Sequence, residues 1–278
     1  MNTPDLIRSR IDLARTWLLV AATSTENIDA ASICGADKVV LDLEDGVPQP
    51  LKPTAREITS RWLDKGNPAW VRVNDATTTD WAEDLAMLTD VPTVPGVMLA
   101  KAESADQVEA TAARLPTGTP IVALIESAVG LEDARAIARA SSTVRLAFGS
   151  GDFRRDTGIG NDPLSLAYAR SRLVIASRVE RLASPIDGPT LVETEKELRA
   201  GIDVGVAAGM TGKLCLRPDH IAAINTALSP TSQDIDWANH VISTLGADGA
   251  YVTQGSDRPK LARALHIRHL IAALSIPT

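Results

Sequence analysis

Five apolar segments of this chain end in side chains that can bind a metal or an anion. They are Asp42-Leu43-Glu44-Asp45, Arg72-Val73-Asn74-Asp75, Lys101-Ala102-Glu103, Glu126 and Gly149-Ser150-Gly151-Asp152. Carboxylate oxygens suit hard divalent cations, and an Arg guanidinium clamps a carboxylate through two parallel hydrogen bonds. Zinc and iron sites draw instead on imidazole or thiolate. The histidines (His220, His240, His266 and His269) all lie late in the chain, and Cys34 and Cys215 are far apart. Oxygen ligation of Mg²⁺, or of Mn²⁺ in its place, is therefore expected. Mg²⁺ takes one or two carboxylates and leaves its other positions to water and substrate, a pattern that Glu126 and Asp152 fit. Arg72 is the expected clamp on a substrate carboxylate. Segment ends can be polar merely because they approach solvent, but five in succession weigh against that explanation.

Such residues need a scaffold that brings them together. Short β-branched runs alternate with segments of helical character. The expected strands are Thr16–Thr23, Lys38–Asp45, Ala69–Asp75, Gly96–Glu103, Pro120–Glu126, Arg145–Asp152, Ser184–Asp187 and Lys213–Arg217. The expected helices are Thr25–Cys34, Lys52–Leu63, Thr79–Leu88, Ser104–Leu115, Leu131–Ala140, Leu164–Leu182 and Val192–Ala208. Strand–helix alternation builds a parallel sheet, and eight such units in about 200 residues close into a (β/α)8 barrel. Chemistry in these barrels sits at the C-terminal strand ends, where the five polar segments fall. Lys38 and Lys213 open their strands, so they are expected at the opposite end. The expected organisation is a polar, helical lead-in over 1–15, the barrel over 16–228 and a helical appendage over 229–278. In the appendage, two helices flank a loop at Gln254–Pro259.

Composition narrows the function classes. The 278 residues include 28 Lys plus Arg and 35 Asp plus Glu, a formal net charge of −7. That balance lacks the basic footprint of a nucleic-acid binder. Hydrophobic residues make up 45% and aromatics only 3%. A core of Ala, Val, Leu and Ile suits parallel strands and their covering helices. No apolar run is long enough to span a bilayer, and the N-terminus does not read as a signal peptide. With no cysteine framework, a reduced cytoplasmic setting without membrane or nucleic-acid partners is expected.

Other features have plainer readings. Gly149-Ser150-Gly151 could cradle a phosphate, but allowing close backbone approach is the simpler role. Arg170, Arg172, Arg178 and Arg181 are expected on a solvated helix face or subunit contact. Lys101 is expected in a rim salt bridge to Glu103 or Asp75, with a Schiff-base nucleophile as the alternative.

The ordered series of motifs resembles a known family. Val40-Leu-Asp-Leu-Glu-Asp-Gly46, Val71-Arg-Val-Asn74, Leu99-Ala-Lys-Ala-Glu-Ser104, Leu124-Ile-Glu-Ser127 and Phe148-Gly-Ser-Gly-Asp152 come first. Tyr168-Ala-Arg-Ser-Arg172, Ile186-Asp-Gly188 and Leu216-Arg-Pro-Asp-His-Ile221 follow. Together they resemble the citrate lyase β-subunit-like family, which includes malyl-CoA and citramalyl-CoA lyases. The resemblance implies a (β/α)8 barrel, homo-oligomeric as a trimer or hexamer, that cleaves or forms a carbon–carbon bond in 3-hydroxyacyl-CoA esters. It implies metal ligation by Glu126 and Asp152 and substrate-carboxylate binding by Arg72, with Glu44, Asp45 and Lys101 lining the substrate. The family's late Asp-x-Pro acid/base matches Asp257-Arg258-Pro259, where a helix N-cap is the competing reading.

The chain departs from the family pattern in places. Ala21-Ala-Thr-Ser-Thr-Glu26 stands where members carry a coenzyme A-contacting turn, and Gly151 replaces the Glu before the metal-binding Asp. Ala100 replaces the Pro before the Lys, and Arg217-Pro218 replaces a His-Pro. The loop before Asp257 is short. Two further readings therefore stand beside a Mg²⁺-dependent acyl-CoA lyase. One is a metal-dependent aldolase acting on a free 2-oxo acid without coenzyme A; the other is a non-catalytic barrel that binds small acids.

Overall fold

The computed structural model describes residues 11–91 and 94–276. Residues 1–10 of the expected lead-in lie outside the described residues. Eight parallel strands close a barrel in sequence order. They are β1 (Thr16–Ala21), β2 (Lys38–Asp42), β3 (Trp70–Val73), β4 (Val97–Leu99), β5 (Ile121–Ile125), β6 (Thr143–Phe148), β7 (Ile186–Asp187) and β8 (Gly212–Cys215). The covering helices are α1 (Thr25–Ser32), α2 (Lys52–Asp64), α3 (Thr79–Thr89), α4 (Ala105–Ala112), α5 (Ala128–Glu132), α6 (Ala134–Arg139), α7 (Ser150–Thr157), α8 (Ala167–Val179), α9 (Glu195–Ala207) and α10 (Ile221–Ala227). The (β/α)8 reading of the sequence is thus borne out.

Alternation along the strands separates two apolar layers. Trp17, Val40, Trp70, Met98, Val122, Leu124 and Leu214 form one cluster that fills the barrel, while Leu41, Val71, Leu99, Ala123 and Ile125 belong to the layer beneath the helices. Two rings, Trp17 and Trp70, meet edge-to-face at 5.0 Å. Polar caps set the helix starts: Ser24, Thr78, Ser104, Ser127 and Thr194 each accept a backbone N–H from the first turn.

The strands are shorter than the sequence suggests, because their polar ends turn into loops or helices. β6 stops at Phe148, so Asp152 sits in the first turn of α7 rather than on a strand. The single helix expected over Leu131–Ala140 is two, broken at Asp133. Lys213 stands near the start of β8, opposite Thr16 at the start of β1, as its position in the sequence implies. Its buried ammonium reaches Asp187 and the Gly188 carbonyl at the end of β7.

The chain divides into two compact units between Asn225 and Thr226. In the second, α11 (Ser232–Leu245) and α12 (Asp257–Ala273) pack through Ala238, Val241, Leu245, Leu261, Ala264 and Ile267. The expected 254–259 loop is shorter than predicted, since α12 already begins at Asp257. Among the described residues, no helix is long and apolar enough to cross a membrane.

Candidate active site

Strand periodicity places the reactive side chains one layer above the barrel's apolar filling. Val40 and Asp42 are two apart on β2, and Trp70 and Arg72 on β3. Glu126 continues the Val122, Leu124 series of β5. Residues two apart share a face, so Asp42, Arg72 and Glu126 follow the inward-pointing Val40, Trp70 and Leu124.

Asp42 stands opposite Arg72 in the β2–β3 register. Arg72 Nε donates to Asp42 Oδ1 at 2.7 Å and Nη2 to Oδ2 at 2.6 Å. Its Nη1 lies 3.2 Å from Glu44 Oε2. The Asp42 carboxylate also accepts the backbone N–H groups of Glu44 and Gly46. A Cβ at Gly46 would fall 2.2 Å from Asp42 Oδ2, so this turn requires glycine. Asp42 takes the side-on fork of the guanidinium, and Glu44 lies against Nη1, so a ligand at the end-on edge would share Nη1 with Glu44. Burial opposes the charge on Arg72, but Asp42 and Glu44 outweigh it and hold the group protonated.

Glu44 and Lys101 form the next contact. Lys101 Nζ donates to Glu44 Oε1 and lies 3.4 Å from Asp45 Oδ2. Burial pushes the Glu44 carboxyl up against the pull of Arg72 and Lys101. Asp45 goes the other way, because Lys101 overcomes its partial burial. Burial acts to lower the Lys101 ammonium, yet Glu44 and Asp45 raise it. A Schiff base needs a neutral amine, so this setting disfavours that role. The sequence-expected partners of Lys101 are engaged elsewhere: Glu103 accepts Ser127 Oγ at 2.5 Å and Asp75 accepts the Thr77 N–H at 2.8 Å.

Buried Lys52, which sequence reasoning missed, braces this rim from α2. Its Nζ donates to the carbonyls of Leu43 and Glu44 and, at 2.6 Å, to Asn74 Oδ1. Asn74 in turn donates to Leu43 O and to Asp84 Oδ2, and Asp84 holds Arg56 at 2.7 Å.

Glu126 is only 3% exposed. Burial, reinforced by Glu44 and Asp152 and opposed by Arg72, pushes its carboxyl up to about 8. Its Oε1 accepts the backbone N–H of Lys101 at 2.8 Å. Lys101 adopts a left-handed backbone (φ 48°), unusual for a non-glycine residue, and this conformation accompanies that contact. Gly149 flanks the other oxygen: a Cβ there would come 2.2 Å from Glu126 Oε2. Asp152 pairs with Arg155 at 2.7 Å and is 24% exposed.

Glu126 makes no ion pair among the described residues, and Asp152 carries a second carboxylate close enough to raise it. No set of three or more His, Cys, Asp or Glu poised for a metal exists among the described residues. A two-carboxylate site with its remaining positions open suits Mg²⁺, not zinc.

Two sequence expectations end differently. Arg170 is buried and ion-paired to Asp187 at 2.8 Å, not on a solvated face. Asp257 lies in the second unit as the first residue of α12, with Ser256 as the cap. Its carboxylate accepts the N–H groups of Gln254 and Thr253 at 3.0 and 3.2 Å, and these contacts hold its pKa low.

A (β/α)8 barrel with carboxylates and an Arg converging at the C-terminal strand ends defines an enzyme of small-acid chemistry. The family model described as HpcH/HpaI aldolase/citrate lyase matches residues 15–218, and that of the HpcH/HpaI aldolase C-terminal domain matches 233–275. The chain belongs to the HpcH/HpaI aldolase/citrate lyase family and is an enzyme of the carbon–carbon lyase class. It is 30% identical to the citrate lyase subunit beta-like protein of Deinococcus radiodurans, across 91% of this chain and 95% of that protein. It is 28% identical to mitochondrial citramalyl-CoA lyase of Homo sapiens, across 90% of this chain and 83% of that one. Protein CitE of Mycobacterium tuberculosis, solved in complex with magnesium, acetoacetate and coenzyme A, superposes with a TM-score of 0.78 at 28% identity. That match covers 94% of this chain and 99% of the CitE chain.

Proposed function

We propose that this enzyme is a Mg²⁺-dependent lyase acting on a 3-hydroxyacyl-CoA of a di- or tricarboxylic acid, of the malyl-, citramalyl- or citryl-CoA kind. Cleavage gives an acyl-CoA and a 2-oxo acid. The observation that carries the reading is Glu126: a buried carboxylate, raised to about 8, near Asp152 and the Arg72 guanidinium that Asp42 orients. Such a group is costly to ionise unless a cation joins it. Magnesium in the CitE complexes supports the same assignment.

In this reading Glu126 and Asp152 hold the metal, which when bound supplies Lewis-acid polarisation of the hydroxy or keto oxygen. Arg72 fixes the carboxylate of the 2-oxo-acid half through Nη1 and Nη2, while Asp42 keeps the guanidinium plane from rotating. Glu44, Asp45 and Lys101 line the substrate beside it, Lys101 adding a cation to the rim. The family's acid/base matches Asp257, whose carboxylate the Gln254 and Thr253 N–H groups hold ionised and so able to accept a proton.

A second reading, cleavage of a free 2-oxo acid, is favoured by one observation. The first turn of α1, following β1, carries the Glu26 carboxylate, held ionised by Ser24, where a coenzyme A phosphate would prefer a cation. One assay separates the two: the protein is incubated with citramalyl-, malyl- or citryl-CoA, or with free 4-hydroxy-2-oxo acids, in Mg²⁺ or EDTA. Release of 2-oxo acid from a thioester, abolished by EDTA, is expected. Release from the free acids alone supports the second reading, and release unaffected by EDTA overturns the metal-dependent mechanism.

A further inference from the structure

Behind the first turn of α7 lies a cavity of about 180 Å³, lined in part by Ser150, Gly151, Arg154 and Arg170. At ~30 Å³ per water, this is room for about six waters, or a carboxylate on a short carbon chain. Gly151 leaves the cavity open: a Cβ there would meet nothing within 4 Å.

Arg170 on the cavity wall shares its counter-ion with a second cation that lies beyond the lining. Asp187 is a single buried carboxylate that serves two cations: Arg170 Nε at 2.8 Å and Lys213 Nζ at 3.0 Å. The remaining hydrogen bond of Lys213 goes to a carbonyl, that of Gly188. Burial and the neighbouring Arg170 lower the Lys213 ammonium, as expected for cations that outnumber their counter-ion. Only Nε of Arg170 is hydrogen-bonded among the described residues, although the side chain is 90% removed from solvent. Its terminal nitrogens keep some contact with solvent and are spare donors on the cavity wall, while the guanidinium lies 5.8 Å from the centre of the Phe148 ring. Arg154 adds a second guanidinium to the wall, with Nε on Ser150 O. The one acid on the wall, Asp162, spends its oxygens on its own turn, accepting the N–H groups of Leu164 and Ser165 and the Ser165 hydroxyl.

We propose that this cavity is a carboxylate-binding subsite, with the terminal nitrogens of Arg170 and the guanidinium of Arg154 as its donors. The carboxylate belongs either to a substituent of the substrate or to a separate small acid. The proposal does not depend on the lyase reading, because it concerns binding without metal or turnover.

Malonate is the probe, titrated calorimetrically in EDTA into the wild type, Gly151→Ala and Gly151→Glu. Gly151→Glu places an internal carboxylate where the ligand would sit, and Gly151→Ala leaves the cavity open. Malonate is expected to bind the wild type and Gly151→Ala alike and to bind Gly151→Glu about tenfold more weakly or less. In a second measurement, Gly151→Glu should melt above the isosteric Gly151→Gln, at about 2–4 °C per kcal/mol gained by pairing Arg170. Equal malonate affinity in all three proteins, or no binding by the wild type at millimolar malonate, overturns the proposal. So does a Gly151→Glu melting temperature no higher than that of Gly151→Gln. Repeating the titration with Mg²⁺ and oxaloacetate present identifies the source. Competition assigns the subsite to a substrate substituent, and simultaneous binding to a separate acid.

Discussion

Asp42 grips Arg72 along one edge of the guanidinium, Nε to Oδ1 at 2.7 Å and Nη2 to Oδ2 at 2.6 Å. The pair sits at the meeting of two adjacent strands, so the barrel itself sets the angle at which Arg72 presents its remaining donors. Arg72→Lys keeps the charge but loses the fork, and turnover is predicted to fall by about 10²–10³. Asp42→Asn retains shape and loses the charge that orients the fork. Its predicted signature is a raised KM for the oxo acid together with a lowered melting temperature, because the amide NH2 faces donors from which an Asp42 oxygen accepts. Steady-state kinetics on both variants check this, and wild-type values for Arg72→Lys would show that Arg72 does not touch substrate.

Gly149 is packed against Glu126 so closely that any side chain must displace it. The backbone at Gly149 has φ −85°, open to all residues, so strain from substitution comes from that contact alone. Gly149→Ala is predicted to weaken Mg²⁺ binding by about 10–100-fold, the range seen when groups supporting a metal ligand are disturbed. Titration calorimetry with Mg²⁺ measures it directly. Unchanged affinity would mean that Glu126 is not a ligand.

The raised Glu126 carboxyl gives the metal-free protein a pH signature. Folded Glu126 keeps its proton to about pH 8, whereas the unfolded group releases it near 4.5. The folded state thus binds the extra proton in that window, and stability falls as pH rises through it. Melting temperatures in EDTA should show this decline, and Glu126→Gln, neutral throughout, should lack that contribution. Identical pH slopes in the two proteins would contradict the burial argument.

Asp257 holds the start of α12 and is proposed as the acid/base, and one substitution separates the two. Asn retains an oxygen for the Gln254 and Thr253 N–H groups, so Asp257→Asn should lose about 1 kcal/mol of stability at most. Turnover is predicted to fall by about 10²–10⁴ with oxaloacetate binding preserved. Full turnover in Asp257→Asn would leave the residue as a helix-start device only.

Much of this architecture was legible because strand alternation and apolar runs are local signals. All eight strands, and the convergence of Arg72 and Glu126 near one another, follow from counting by twos and from the C-terminal rim rule. Asp42 was overlooked as the partner of Arg72, though both residues were visible; register between strands is what pairs them. Lys52 and Asp84 were overlooked because they come from helices and reach the rim only through tertiary packing. Lys101 was assigned to acids on its own loop and its neighbour, whereas the closed barrel delivers Glu44 to it from β2. The pairing of Lys213 with Asp187 was overlooked because register between β7 and β8 is what brings the two together.

The central claim is that Glu126 and Asp152 hold Mg²⁺ while Arg72 holds the carboxylate of a 2-oxo acid. Calorimetric titration of oxaloacetate into the wild type and Arg72→Ala, each with Mg²⁺ and with EDTA, tests both halves at once. The predicted result is binding by the wild type that requires Mg²⁺ and weakens by about 100-fold or more in Arg72→Ala, a loss of about 2.8 kcal/mol. Binding of oxaloacetate that is indifferent to Mg²⁺ or to Arg72→Ala would contradict it.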